Sequence, residues 1–185
     1  MNNSNRPICD TLFGLSFATV GDIGSRTVIE APRELRDGFI YPATVPVLDY
    51  EFDVEWLGDE ILGCVDGLIC SDRIANVLLQ SDLTGFTITD VLVSHSQNWR
   101  ALYRRTRLPA FKRIVVADVC RVVGYRTITS WPEVDISTVA PLQEPINWDD
   151  PAPEPNFDVV VTQRFLDAVG RDAIPNSLVY PVVFS

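Results

Sequence analysis

Acidic and apolar residues alternate strictly between Asp49 and Trp56, in the sequence DYEFDVEW. Successive side chains of a β-strand point to opposite faces of its sheet, so a period of two is typical of a half-buried strand. One face carries the apolar side chains, and the other carries Asp49, Glu51, Asp53 and Glu55. The sequence therefore predicts a strand with a row of carboxylates on its solvent face.

A second pattern occurs at two places, residues 67–93 and residues 158–184. Each has a short apolar strand, a helix that begins after Ser71 or Thr162, a turn and a second apolar strand. Ser and Thr are favoured as N-caps because the hydroxyl oxygen accepts a hydrogen bond from a backbone N–H of the first turn. We interpret the two segments as repeated strand–helix–strand units. The alternative is that any strand–helix–strand segment gives this pattern.

The rest of the chain favours strands over helices. Short apolar runs broken by Gly and Pro fill residues 8–48, and β-branched residues are concentrated in residues 114–129. Residues 141–156 hold five prolines and predict a loop or tether. We expect one domain over residues 1–185 with an α+β fold, in which a mixed sheet contains the two repeated units and helices are few.

The composition narrows the classes of partner. The chain of 185 residues has a formal net charge of −10, which argues against nucleic acid because contacts to phosphates need a surplus of Lys and Arg. Residues 1–7 lack the apolar core of a signal peptide, and no apolar run reaches the roughly 18 residues that span a membrane. We expect a cytoplasmic protein with no nucleic-acid or membrane partner.

Residues that usually carry catalysis are sparse. His95 is the only histidine, and the four cysteines form no CxxC pair. The motifs of serine hydrolases, zinc proteases and phosphate-binding loops do not occur. We therefore expect no enzyme activity, no metal and no cofactor, and we interpret His95 as a surface or loop residue. The alternative is an enzyme with a scattered site, in which a deep pocket holds His95 or a close carboxylate pair.

Acidic residues dominate the segment 49–66, which contains seven acids and no base. Four like charges on one face repel each other, and Glu is not favoured in strands, so a docking face for a basic protein accounts for the excess. The alternative is a solvated strand face without a function. A tryptophan in the acidic loop 141–156 also suits an interface. The candidate partner-binding residues are Asp49, Glu51, Asp53, Glu55, Asp59, Glu60 and Trp148.

Basic residues are concentrated between Arg100 and Arg113, which contains six of the fifteen positive residues. We interpret this run as balancing the surrounding acids, within the chain or across a homodimer.

Three segments resemble a known class of proteins: FIYPATV at 39–45, GLICSDRIANVLLQSDLTGF at 67–86 and FDVVVTQRFLDAV at 157–169. They are similar to the double-CXXCG immunity proteins and related immunity families of bacterial polymorphic-toxin systems, in which an apolar strand leads into a T-x-R-F helix start. The resemblance implies a protein that binds and neutralises a cognate toxin. Both CXXCG zinc knuckles are absent from this chain, so the family's zinc is not implied here.

The leading hypothesis is an immunity-type protein whose acidic surface binds a basic toxin domain. The alternative is a structural or assembly subunit that acts by self-association, in which the loop 141–156 and the apolar C-terminal strand join the copies.

Overall fold

The computed structural model describes residues 11–64, 67–123, 127–129, 132–143 and 158–185. Within these ranges the chain forms sixteen strands, three α-helices and one short 3-10 helix. The helices are α1 (Asp72–Gln80), α2 (Gln97–Leu102), α3 (Gln163–Val169) and the 3-10 helix Arg171–Ala173. The strands are β1 (Leu12–Ser16), β2 (Gly21–Ile23), β3 (Glu34–Arg36), β4 (Phe39–Tyr41), β5 (Asp49–Phe52), β6 (Ile61–Cys64), β7 (Gly67–Ser71), β8 (Phe86–Asp90), β9 (Leu92–His95), β10 (Phe111–Val116), β11 (Val119–Val123), β12 (Thr127–Ile128), β13 (Ile136–Pro141), β14 (Val159–Thr162), β15 (Leu178–Pro181) and β16 (Val183–Phe184).

The largest sheet contains seven strands in the order β15-β1-β14-β13-β11-β12-β16. Neighbouring strands in this sheet are antiparallel except for two parallel pairs, β11 with β13 and β12 with β16. The edge strands β15 and β16 follow each other directly in the chain, so the sheet curls until its edges come near each other and it is nearly closed. A mixed sheet with few helices in the described ranges confirms the predicted α+β class.

A four-stranded sheet has the order β6-β7-β10-β8, and all its pairs are antiparallel. Part of the large sheet has the same form, because β13-β14-β1-β15 is also antiparallel throughout. The registers agree as well: Ser71 lies opposite the first residue of β10, and Thr162 lies opposite the first residue of β1. The positions of β7 and β8 on either side of β10 thus match the positions of β14 and β15 on either side of β1.

The two helices that follow β7 and β14 begin in the same way. In each, the N-cap hydroxyl accepts a hydrogen bond of 3.3 Å from the backbone N–H three residues later. The same hydroxyl donates to a carboxylate, at 2.6 Å in the first case and 2.8 Å in the second, and that carboxylate also pairs with the arginine two positions after the cap. The two networks are Ser71–Glu60–Arg73 and Thr162–Asp135–Arg164.

The helices and sheets enclose two main clusters of buried apolar residues. One lies beneath α1 and α3, where Ile74 and Leu78 share a core with Phe165 and Val169. The other lies beneath a three-stranded sheet of order β2-β5-β9 and contains the Tyr50, Phe52, Trp99 and Phe111 side chains. A two-stranded hairpin, β3-β4, completes the described strands.

Some of the individual helices and strands agree with the sequence predictions and others differ. The helix after Ser71 is confirmed and ends at Gln80. The second apolar strand expected in the segment 67–93 is two strands, β8 and β9, which join different sheets. The short helix α2 was not predicted; it begins at an N-cap, Ser96, whose hydroxyl accepts from the backbone N–H of Trp99 at 3.0 Å.

Candidate partner-binding surface

The acidic alternation falls on β5, the central strand of the three-stranded sheet. Its apolar face is buried as predicted, since Tyr50 and Phe52 are fully buried and their ring centroids lie 5.0 Å apart. The regular strand is shorter than the pattern suggested and ends at Phe52. Beyond it, the backbone N–H groups of Asp53 and Val54 both donate to the carbonyl oxygen of Val20. The last two carboxylates of the alternation therefore follow the strand instead of belonging to it.

Asp49 is completely buried, and its carboxylate is bound inside the protein. Arg26 donates from Nε to Oδ2 at 3.0 Å and from Nη2 to Oδ1 at 2.8 Å. Burial alone would raise the pKa of Asp49, but the hydrogen bonds and the positive charge of Arg26 outweigh it and hold the pKa below its ordinary value. Asp49 is thus an ionised anchor for the turn that carries Arg26.

That turn needs glycine at position 24. A Cβ atom on Gly24 would lie 2.5 Å from Oδ2 of Asp49 and 2.9 Å from Oγ of Ser94. The backbone N–H of Gly24 also donates to the carbonyl oxygen of Asp49 at 2.6 Å. A side chain at this position would force the turn away from β5 and disturb the pair between Asp49 and Arg26.

Four other carboxylates make an open surface at this sheet, which we call the acidic surface: Asp22, Glu51, Asp53 and Glu55. Glu51 is half-buried and lies directly opposite Asp22 on the neighbouring antiparallel strand β2. Asp53 and Glu55 are exposed. Among the residues that the structure describes, none of the four pairs with a lysine or arginine. The acidic surface therefore carries uncompensated negative charge.

Asp59 and Glu60 are bound internally. Asp59 is fully buried and accepts hydrogen bonds from the backbone N–H of Asn176 at 3.0 Å and from its Nδ2 at 2.7 Å. Glu60 accepts from Oγ of Ser71 at 2.6 Å and from Nε of Arg73 at 2.9 Å. The hydrogen bonds from Arg73 lower the pKa of Glu60. The Asp59 carboxylate joins segments 117 positions apart, whereas the Glu60 carboxylate holds its segment to the start of α1.

The seven predicted residues are thus divided by the structure. Glu51 is half-buried on β5, and Asp53 and Glu55 are exposed in the segment that follows it, whereas Asp49, Asp59 and Glu60 bind internal groups. Trp148 lies outside the described residues. The sequence interpretation missed Asp22, whose position opposite Glu51 depends on pairing between β2 and β5. It also missed Arg26 and Asn176, which sequence spacing alone does not connect to their carboxylates.

His95 lies at the end of β9 inside an aromatic group. Its ring centroid lies 4.1 Å from that of Trp99 and 6.2 Å from that of Phe52. Burial lowers the pKa of His95, and the positive charge of Arg100 lowers it further. These contacts give the histidine a packing role beside the acidic surface.

Within the described ranges, no group of three or more His, Cys, Asp or Glu side chains is placed to hold a metal ion. None of the helices in that part of the chain is long and apolar enough to cross a membrane. The chain matches no protein-family model, and no curated protein matches it at a significant level.

Proposed function

We propose that this chain is an immunity-type protein that neutralises a cognate, basic toxin domain by binding it through the acidic surface. The observation that carries the proposal is the set of four carboxylates, Asp22, Glu51, Asp53 and Glu55, that have no cationic partner among the described residues. A partner with a matching set of lysines or arginines would supply the missing charges and would approach faster under their attraction.

The placement of Asp22 opposite Glu51 strengthens this argument. Like charges directly opposite each other on paired strands destabilise a sheet, typically by a few tenths of a kcal/mol to about 1 kcal/mol. The same chain neutralises Asp49, on the same strand, with a two-point contact to Arg26. An acidic pair left without such compensation has a cost to folding that a binding function explains.

The three segments that resemble polymorphic-toxin immunity proteins support the choice of partner. They cover β7, α1, β14 and α3, which are also the elements of the two equivalent networks at the helix starts. We propose that residues 67–93 and 158–184 are copies of one ancestral unit. The agreement in strand order, register and N-cap network supports this proposal.

The test is an equilibrium titration with the product of the adjacent gene, where a cognate toxin would be encoded. We expect a one-to-one complex that weakens as salt rises and is lost in the variant Glu51→Lys/Asp53→Lys. The control is Glu133→Lys/Asp172→Lys, which reverses two exposed acids that are not part of the acidic surface and should leave binding unchanged. Equal loss in both variants, or no salt dependence, would show that the acidic surface is not the binding site.

A toxicity assay completes this test, because immunity requires neutralisation as well as binding. Cells that express the toxin should survive with the wild-type protein and with the control variant. They should die with Glu51→Lys/Asp53→Lys expressed at the same level.

A further inference from the structure

Four arginines stand apart from the other basic residues of the described chain: Arg100, Arg104, Arg105 and Arg107. All four are exposed, and none of the four side chains makes a hydrogen bond or ion pair within the described ranges. Every other lysine or arginine there has an internal interaction, with a carboxylate, a backbone carbonyl or another group. In a protein with a net charge of −10, this unpaired basic cluster is a local positive patch that an acidic surface can complement.

The helix that carries Arg100 lies next to the end of the acidic surface. Nδ2 of Asn98, on α2, donates to the carbonyl oxygen of Asp53 at 3.2 Å. The backbone N–H of Ser96, the N-cap of α2, donates to the carbonyl oxygen of Phe52 at 2.9 Å. Arg100 belongs to the same short helix. The segment that carries Asp53 therefore lies beside α2, which contains Arg100, and the other three arginines follow α2 in the chain.

Exposed apolar side chains accompany both segments. Val54 and Leu57 follow β5 with 43% and 61% of their surface exposed, and Leu102 at the end of α2 is 64% exposed. Trp56, which lies between the first two, packs against Phe111 with ring centroids 6.5 Å apart. The segments are thus fixed to one aromatic core, while their apolar tips point away from it. A surface with apolar residues between opposite charges is typical of a protein interface.

We infer that this face binds a second copy of the chain across a two-fold axis, so that the Arg100–Arg107 cluster of each copy meets Asp53 and Glu55 of the other. In a two-fold interface the same patch contacts itself, so a patch with an acidic half and a basic half is self-complementary. Each copy then supplies the charge that the other lacks. A nucleic acid fits less well, because the adjacent carboxylates would repel its phosphates.

The inference goes beyond the proposed function and adds a consequence to it. Two residues of the acidic surface, Asp53 and Glu55, would be covered in the dimer and exposed in the monomer. A basic partner would therefore compete with the second copy, and its binding would be coupled to dissociation of the dimer.

Analytical ultracentrifugation of the purified protein tests the inference without any other partner. We expect a dimer at low ionic strength that dissociates as protein is diluted, with a dissociation constant that rises about tenfold or more when salt is increased from roughly 50 mM to roughly 500 mM. The variant Arg104→Glu/Arg105→Glu should be monomeric, because acids would then face acids. The variant Asp53→Lys/Glu55→Lys should be monomeric for the opposite reason.

Mixing the two monomeric variants provides the decisive control, because their reversed charges are complementary. The mixture should form a heterodimer, in which one half of the interface has native charges and the other half has swapped charges. A monomeric wild-type protein at high concentration and low salt would overturn the inference, as would a dimer that survives both reversals. Failure of the mixture to associate would also overturn it, provided that both variants retain the wild-type circular dichroism spectrum. Tighter binding of a single-stranded RNA probe than of the second copy would assign the arginines to nucleic acid instead.

Discussion

The stability of the variant Asp59→Ala tests whether acids that are bound inside the protein stabilise the fold, in contrast to acids on the acidic surface. Asp59 belongs to the acidic segment, yet it is fully buried and accepts two hydrogen bonds from Asn176, at 3.0 Å and 2.7 Å. A hydrogen bond to a charged group typically contributes about 1.5–3 kcal/mol. Because Asn176 is itself exposed and water can replace part of the loss, we expect Asp59→Ala to lower the free energy of unfolding by about 2–4 kcal/mol.

This loss corresponds to a melting temperature roughly 5–15 °C lower for a domain of this size. Urea unfolding followed by tryptophan fluorescence measures the free energy directly, and Asp59→Asn should lose less because one carbonyl acceptor remains. Glu55→Ala, at an exposed and unpaired acid, is the matched control and should stay within about 0.5 kcal/mol of the wild type. An Asp59→Ala protein as stable as the Glu55→Ala protein would refute the division between internal and surface acids.

Three further results are expected. Glu51→Gln should stabilise the isolated protein by about 0.2–1 kcal/mol in chemical denaturation, because it removes the repulsion with Asp22. The double variant Asp22→Asn/Glu51→Gln should be no more stable than either single variant, because one substitution already removes that repulsion. His95 should titrate below pH 6.5 by NMR, and Arg100→Gln should move its pKa only part of the way back, since burial is the larger cause. The folded protein binds this proton more weakly than the unfolded chain does. The free energy of unfolding should therefore decrease as the pH falls from about 6.5 towards the folded pKa of His95. Gly24→Ala should lower the melting temperature, because its Cβ would lie 2.5 Å from the Asp49 carboxylate. Gly58→Ala would meet no atom within 4 Å and would strain only the backbone, which has a φ of 98° at this position.

Local signals in the sequence were sufficient for the elements in which neighbours along the chain decide the structure. Ser71 and the apolar stripe after it specify α1, and the alternation in DYEFDVEW specifies which side of β5 is buried. The fold class followed from the abundance of short apolar runs. These features depend on hydrogen bonds and faces within a few residues of each other.

Which carboxylates are bound internally and which are exposed could not be predicted from such local signals. Asp49 and Arg26 are 23 positions apart, and Asp59 and Asn176 are 117 positions apart. Only the pairing of distant strands decides which acid meets a base and which remains free. The four carboxylates of the alternation are equivalent in the sequence pattern. In the fold, Asp49 is buried under a turn that requires Gly24, and it is therefore not available on the surface.

The association rate between this protein and the purified toxin candidate, measured by stopped-flow fluorescence at several salt concentrations, tests the central claim most directly. The account predicts a rate for the wild type that falls steeply with salt, and a rate for Glu51→Lys/Asp53→Lys that is at least about tenfold lower at low salt and nearly independent of salt. Equal rates and equal salt dependence for the two proteins would contradict the account.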